Sequence, residues 1–167
     1  MNNVDQLCPN CGLCCDSTLF ADVELRAGDD ARRLEQLGLS LHKKGKTKIA
    51  FAQPCACFDG KFCKIYAGRP GRCRLFECGL LKKVEAGEMT AESALKKIAG
   101  AKVLAGNVRE LLKSIGGQDE HLALTKRYAQ TTSKPIDLSD ETEAERRGEL
   151  MLAVNDLMRV LQGDFLQ

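Results

Sequence analysis

All nine cysteines of this 167-residue chain lie between Cys8 and Cys78, and residues 79–167 contain none. Nine in the first 78 positions exceeds the roughly 8–10% at which cysteine content marks a stapled scaffold. The first half is therefore expected to be a cross-linked or metallated module. An odd count leaves one thiol over from any closed set of disulfides. The segment Met1-Asn2-Asn3-Val4-Asp5-Gln6-Leu7-Cys8 lacks the basic start and the apolar run of about 7–15 residues that export requires. A cytoplasmic setting is expected, and there clustered thiols hold metal more often than they form disulfides.

With 29% charged and 44% hydrophobic residues the chain is expected to be globular. No stretch approaches the roughly 20 apolar residues of a membrane-spanning helix. The length suits one domain, or a domain with an appendage. The net charge is +2, but metal binds the thiolate form, so eight ligating cysteines with two divalent ions would bring the protein to about −2. Two cubane clusters with a 2+ core give the same value, so charge does not name the metal.

The pattern predicts an α+β fold that is mainly α: a small, irregular, metal-stapled cysteine module with short strands over 1–80, then a helical, bundle-like region over 81–167. Residues 1–15 read as a cysteine loop. Thr18 to Leu25 partly alternates, as a short half-buried strand does, and Gly28-Asp29-Asp30 opens a helix running through Leu34 and Leu37 to Gly38. His42-Lys43-Lys44-Gly45-Lys46-Thr47-Lys48 reads as a basic, solvated loop. Two short strands are expected between Ile49 and Tyr66 around an Asp59-Gly60 turn. Arg69-Pro70-Gly71-Arg72 is expected to give an irregular stretch carrying Cys73 and Cys78.

Beyond Cys78 the period becomes helical. A short helix fits Leu80 to Glu88, and a long one begins at Thr90, a suitable N-cap. Ala94, Ile98, Ala101, Ala105, Val108, Leu112 and Ile115 then form a packing stripe on one face. Gly116-Gly117 stops it. A helix over Glu120 to Gln130 follows, and Thr131-Thr132-Ser133-Lys134-Pro135 breaks the chain. Asp140 with Glu143 forms a capping-box arrangement for the last helix, striped by Leu150, Val154, Leu157 and Leu161. The stripes read as core packing, without need of a dimer.

The first cysteine cluster is Cys8-Pro9-Asn10-Cys11-Gly12-Leu13-Cys14-Cys15. Two residues between ligands bring two sulfurs to one ion, and Gly12 tolerates the left-handed turn such a knuckle tends to need. Cys8-x2-Cys11-x2-Cys14 also matches the opening of a bacterial ferredoxin run, without its C-x3-C-P ending. Adjacent side chains diverge, so Cys14 and Cys15 could serve two neighbouring centres; one closely spaced pair of centres, or a cluster plus a free thiol, fits equally. The second cluster runs from Cys55-Ala56-Cys57 through Cys63-Lys64-Ile65-Tyr66 and Arg69-Pro70 to Cys73-Arg74-Leu75-Phe76-Glu77-Cys78.

Taken together, C-x2-C-G-x-C-C and C-x7-C-x-I-Y-x2-R-P-x2-C-R-x-F-x-C resemble the CxxCxxCC cysteine-cluster family, a zinc- or iron-chelating domain. The resemblance covers residues 8–78 and says nothing specific of 79–167. It implies eight metal ligands: Cys8, Cys11, Cys14, Cys15, Cys55, Cys63, Cys73 and Cys78. Cys57, at a position that is usually hydrophobic, is left as the ninth, non-ligating thiol. Lys61, Lys64, Arg69, Arg72 and Arg74 surround the second cluster and are expected to lower thiol pKa values. Arg69 is suited to bonding loop carbonyls, and Tyr66 and Phe76 to forming a small core under the site. His42 and His121 lie outside ligand spacing.

Three functions compete. A structural metal, zinc or iron, would replace the core of a module whose first 78 residues hold only 18 Leu, Ile, Val and Phe. An iron–sulfur cluster would give a redox protein, or an accessory component of a methyltransferase or oxidoreductase system. Flagellin lysine methylases contain a similar cysteine region, although a complete methylase does not fit this length. A zinc module binding nucleic acid comes last, because residues 1–78 carry a net charge of only +3 before thiolates form. No Gly-rich cofactor loop, Ser/His/Asp set or paired carboxylate site is recognisable, so no catalytic residues are expected. Metal ions are the expected partners, with a protein partner left open and neither nucleic acid nor membrane expected.

Overall fold

The computed structural model describes residues 6–117, 119–137 and 139–167. It is mainly helical with one small sheet, as the sequence pattern predicts: seven α-helices, of which three are long or moderately long, and three short strands among the described residues. Contacts divide the chain into two units, 1–77 with 121–123, and 78–120 with 124–167.

The first unit opens with a short helix, α1 (Leu7–Cys11), where a loop was expected. Gly12 ends it at φ 74°, and Cys15 N–H and Asp16 N–H both donate to Gly12 O, at 2.8 and 2.9 Å. Strand β1 (Asp22–Glu24) leads to α2 (Ala31–Gln36), capped by the Asp30 carboxylate, which accepts from Arg33 N–H at 3.0 Å. Strands β2 (Leu41–Lys44) and β3 (Lys48–Ala52) complete an antiparallel sheet of order β1-β3-β2. The basic segment 42–48 is thus a hairpin rather than a loop, turning at Gly45 with φ 68°. Its lysines are exposed, as expected, but two of them pair with carboxylates of β1. Lys44 Nζ lies 2.6 Å from an Asp22 oxygen, and Lys48 Nζ lies 2.9 Å from Glu24.

Downstream, the Asp59-Gly60 turn forms, but its flanks make only a single bridge between Phe58 and Cys63 in place of two strands. The Asp59 carboxylate accepts from Lys61 N–H and Phe62 N–H, at 2.9 and 2.7 Å. These two backbone donors, Phe62 first, hold its pKa below the usual carboxylate value. A turn of 3₁₀ helix (Tyr66–Gly68) precedes α3 (Gly71–Leu75). The Pro-Gly pair begins a helix here rather than leaving an irregular stretch, because Pro70 stands at the N-cap, where its missing N–H costs nothing. The apolar centre of this unit is small: Leu34, Leu39, Phe51 and Cys57 are buried, with Val23, Leu25, Leu41, Cys55, Ile65 and Cys73 packed against them.

Gly12 ties the first cysteine cluster to the second. A Cβ built there would fall onto the ring of Phe58, and the left-handed backbone would strain any L side chain. Gly12→Ala is expected to destabilise this unit by roughly 2–5 kcal/mol, the sum of left-handed strain and overpacking. Denaturant unfolding read on the sheet checks this, and an unchanged midpoint would contradict the contact.

The second unit consists of α4 (Gly79–Glu85), α5 (Ala91–Ser114), α6 (Leu124–Thr132) and α7 (Glu141–Val160), the last extended by a π-helical turn over Leu161–Phe165. Thr90 and Asp140 cap α5 and α7 through Ser93 N–H and Glu143 N–H. Six of the seven α5 stripe residues are buried; Ile115 lies past the helix end and is half-buried. On α7 the buried set is Arg147, Leu150, Ala153 and Leu157, with Ala153 taking the place expected of Val154. Lys97 near the start of α5 bonds Asp164 at 2.9 Å, and Arg146 near the start of α7 donates to Ser114 O at 3.3 Å. The two long helices therefore run antiparallel.

Candidate metal centre

Four chain segments carry four thiols into one neighbourhood. Cys15 follows the turn after α1, Cys55 follows β3, Cys63 pairs with Phe58, and Cys73 sits in α3. Backbone bonds fix three of them: Cys55 N–H donates to Cys15 O at 2.8 Å, and Cys63 O accepts from Tyr66 N–H at 3.2 Å. For Cys73 the fixing group is Asp29, which sequence reading assigned only to helix initiation. Its carboxylate accepts from Gly71 N–H at 2.8 Å and from Arg26 N–H at 2.7 Å, clamping the first turn of α3 to the loop before α2.

Asp29→Ala removes both acceptors at once. The expected cost is about 1–3 kcal/mol, felt locally as faster alkylation of Cys73 while the helices of the second unit are unaffected. Alkylation followed by peptide mass spectrometry reads this directly. Equal Cys73 rates in the variant and the parent would contradict the clamp.

The four thiols influence one another's ionisation. Burial pushes the Cys15 thiol up to about 12, and Cys55, Cys63, Cys73 and Asp16 raise it further. Burial likewise pushes Cys55 up to about 12, with an N–H of Cys57 opposing the rise and Cys57, Cys63 and Cys73 adding to it. Cys73 reaches about 11 through burial and Cys63, against the pull of Arg69. The expectation that nearby cations would lower these values is overturned, because desolvation of a buried thiolate outweighs one arginine. Two of the arginines also have partners of their own. Arg72 lies 3.5 Å from Glu24, and Arg69 lies over the Tyr66 ring at 3.6 Å while its Nε donates to Tyr66 O at 2.9 Å. Tyr66 is consequently an exposed platform rather than core, whereas Phe76 meets Phe20 edge to face at 4.9 Å.

The other candidate ligands are placed differently. Cys8 and Cys11 lie in α1 and Cys14 in the turn after it, all half-buried. Cys78 is the N-cap of α4 and falls in the second unit. Cys57 is 3% exposed and occupies an apolar core position, with its sulfur 3.8 Å from Leu37 O. Gln53, two residues before Cys55, is also buried, and its Oε1 has no hydrogen-bond partner. Nothing in the sequence marked that residue.

The donor chemistry suits a soft or borderline metal. None of the nine cysteines is in a disulfide, and Cys15, Cys55, Cys63 and Cys73 cannot ionise together without a cation to offset them. Among the described residues, no three Cys, His, Asp or Glu side chains stand as a ready-made ligand set. Cys15, Cys55, Cys63 and Cys73 are among the residues that could hold a metal, and bound zinc or iron would supply a fixed positive charge and a cross-link between chain segments.

A compact, sheet-based thiol cluster followed by helices defines a small cysteine-cluster module. Residues 7–95 match the CxxCxxCC family, described as a "Putative zinc- or iron-chelating domain", and the chain belongs to that family. No curated protein and no solved structure matches it. Metal binding is the family property; no helix among the described residues is long and apolar enough to cross a membrane.

Proposed function

We propose that this chain is a thiolate metal-binding protein in which Cys8, Cys11, Cys14, Cys15, Cys55, Cys63, Cys73 and Cys78 hold zinc or iron in a cytoplasmic setting. The metal organises the fold of the first unit and leaves the helical unit free to serve a protein partner. The observation that carries this reading is the mutual influence of Cys15, Cys55, Cys63 and Cys73, which come from four separate segments, beside a small apolar cluster of Leu34, Leu39, Phe51 and Cys57. A unit that small needs a staple, and neutral thiols crowded together gain nothing until a cation arrives.

An iron–sulfur cluster is the second reading, favoured by the overlapping Cys8-x2-Cys11-x2-Cys14 run. It would make the module a redox component of a methyltransferase or oxidoreductase system. Anaerobic purification, metal analysis and a visible spectrum separate the two. A colourless protein holding stoichiometric zinc removes the cluster reading, and a brown one with iron and sulfide removes zinc. A protein that retains no metal, and folds equally well with Cys11→Ser and Cys73→Ser, overturns both.

A further inference from the structure

We infer that the helical unit carries a second site, a cleft built around Arg127 that binds a small molecule through its carboxylate group. The cleft has a volume of about 330 Å³, and its lining includes Gly117, Asp119, Arg127, Gln130, Thr131 and Lys134, all beyond the residues that match the family. That volume is at the lower end of the range small-molecule sites occupy. Arg127 and Thr131 stand four positions apart on one face of α6, and each is only 4% exposed. Another wall comes from the end of α5. Gly116 turns the chain at φ 85°, and Gly117 N–H donates back to Leu112 O at 2.8 Å, a helix end closed by glycine. Gly117 then lies directly against Thr131, since a Cβ built there would come within 2.9 Å of Thr131 Oγ1.

The incomplete pairing of these buried polar groups points to a ligand. Arg147, another buried arginine of this unit, shows what a satisfied one looks like. It pairs with Glu143 at 2.7 Å and donates to the carbonyls of Lys134 and Pro135 at 2.8 and 3.4 Å. Arg127 has a single carbonyl instead: its Nε and Nη2 both donate to Gly117 O, at 3.2 and 2.7 Å. Among the described residues, no carboxylate pairs with Arg127, and neither its Nη1 nor Thr131 Oγ1 has a hydrogen-bond partner. A buried guanidinium without a counterion is costly, and the free Nη1–Nη2 edge is the fork that grips a carboxylate with two parallel bonds. The Thr131 hydroxyl supplies a further donor. Among the lining side chains, Arg127 and Lys134 against Asp119 leave a net charge of +1, and the carbonyl ends of α5 and α6 add negative potential. That balance suits one carboxylate rather than a phosphate, which brings about −1.5 to −2.

The test titrates the isotope-labelled full chain with sodium acetate, exchanged for chloride at constant ionic strength and pH, and follows the backbone amide resonances. The expected result is a set of saturable shifts that includes Gly117 and Thr131. Thr131→Val, which replaces the hydroxyl with a methyl group, is expected to weaken acetate binding about ten-fold. Lys134→Gln, at an exposed position, is expected to weaken it about two- to five-fold, with circular dichroism confirming that the helices persist in both variants. Shifts that grow without saturation, or equal acetate affinity in the parent and both variants, overturn the site. Tighter binding of inorganic phosphate than of acetate at the same ionic strength overturns the carboxylate assignment.

Discussion

Chelation of the metal-loaded protein is expected to unfold the cysteine-bearing unit and leave α5 and α7 folded. Structural thiolate zinc sites contribute on the order of 10 kcal/mol to folding in small peptides, and a whole domain is stable by only about 5–15 kcal/mol. The unit over 1–77 buries a small apolar set, Leu7, Leu13, Leu34, Leu39, Phe51 and Cys57 with Ala50 among the described residues, so the loss of such a contribution is expected to exceed its remaining stability. The second unit has its own buried set along α5 and α7, including Ile98, Val108, Leu112, Leu150 and Leu157, and carries no thiol beyond Cys78. Hydrogen exchange followed by mass spectrometry distinguishes the two units within one molecule. Loss of protection over Lys48–Ala52, with protection retained over Ala91–Ser114, is the expected pattern. Unchanged protection in the sheet after complete metal removal would show that the metal is not structural.

The second large effect is in pH, and its sign depends on the metal. A bound ion requires thiolates, so each thiol with a pKa of about 11 or 12 gives up a proton on ligation near neutrality. Ligation through Cys15, Cys55 and Cys73 should therefore make affinity fall roughly 10³-fold for each unit of pH lowered, a factor of about ten for each of the three protons released. In the absence of metal the dependence reverses. The folded pKa values of Cys15, Cys55 and Cys73 lie above the ordinary value of 9.0, so between about 9 and 12 the folded chain binds more protons than the unfolded one. By linkage, that stability is full below about 9 and declines as pH rises through the folded values. Zinc competition with a chromophoric chelator across neutral pH measures the first effect, and unfolding of metal-free protein up to alkaline pH measures the second. A metal-free protein that gained stability above pH 9 would contradict the burial of these thiols.

The helical half was legible from the sequence because its signals are local. Thr90 and Asp140 cap as their positions imply, and Gly116 follows α5 with φ 85°. The stripe from Ala94 to Leu112 is a continuous face because the helical period holds for 24 residues. The cysteine half resisted because its order comes from distant partners. Lys44 and Lys48 read as solvated loop until Asp22 and Glu24 are brought opposite them. Asp29 reads as a helix-opening residue, since its bond to Gly71 spans 42 positions. The thiol electrostatics were misjudged for the same reason: the sequence displays arginines and lysines beside the cysteines, but not the burial that outweighs them.

These long-range links also bear on the order in which the chain folds. Gly12 meets Phe58, Cys15 meets Cys55, and Asp29 meets Gly71, so the first unit cannot form a stable part without closing loops of some forty residues. Each closure costs entropy before any contact offsets it, and topologies of this kind fold slowly. The helices of the second unit, built from neighbours in sequence, should form well before the sheet does. Thiols in the nascent chain would then remain accessible to metal ions for an appreciable time before the sheet closes over them.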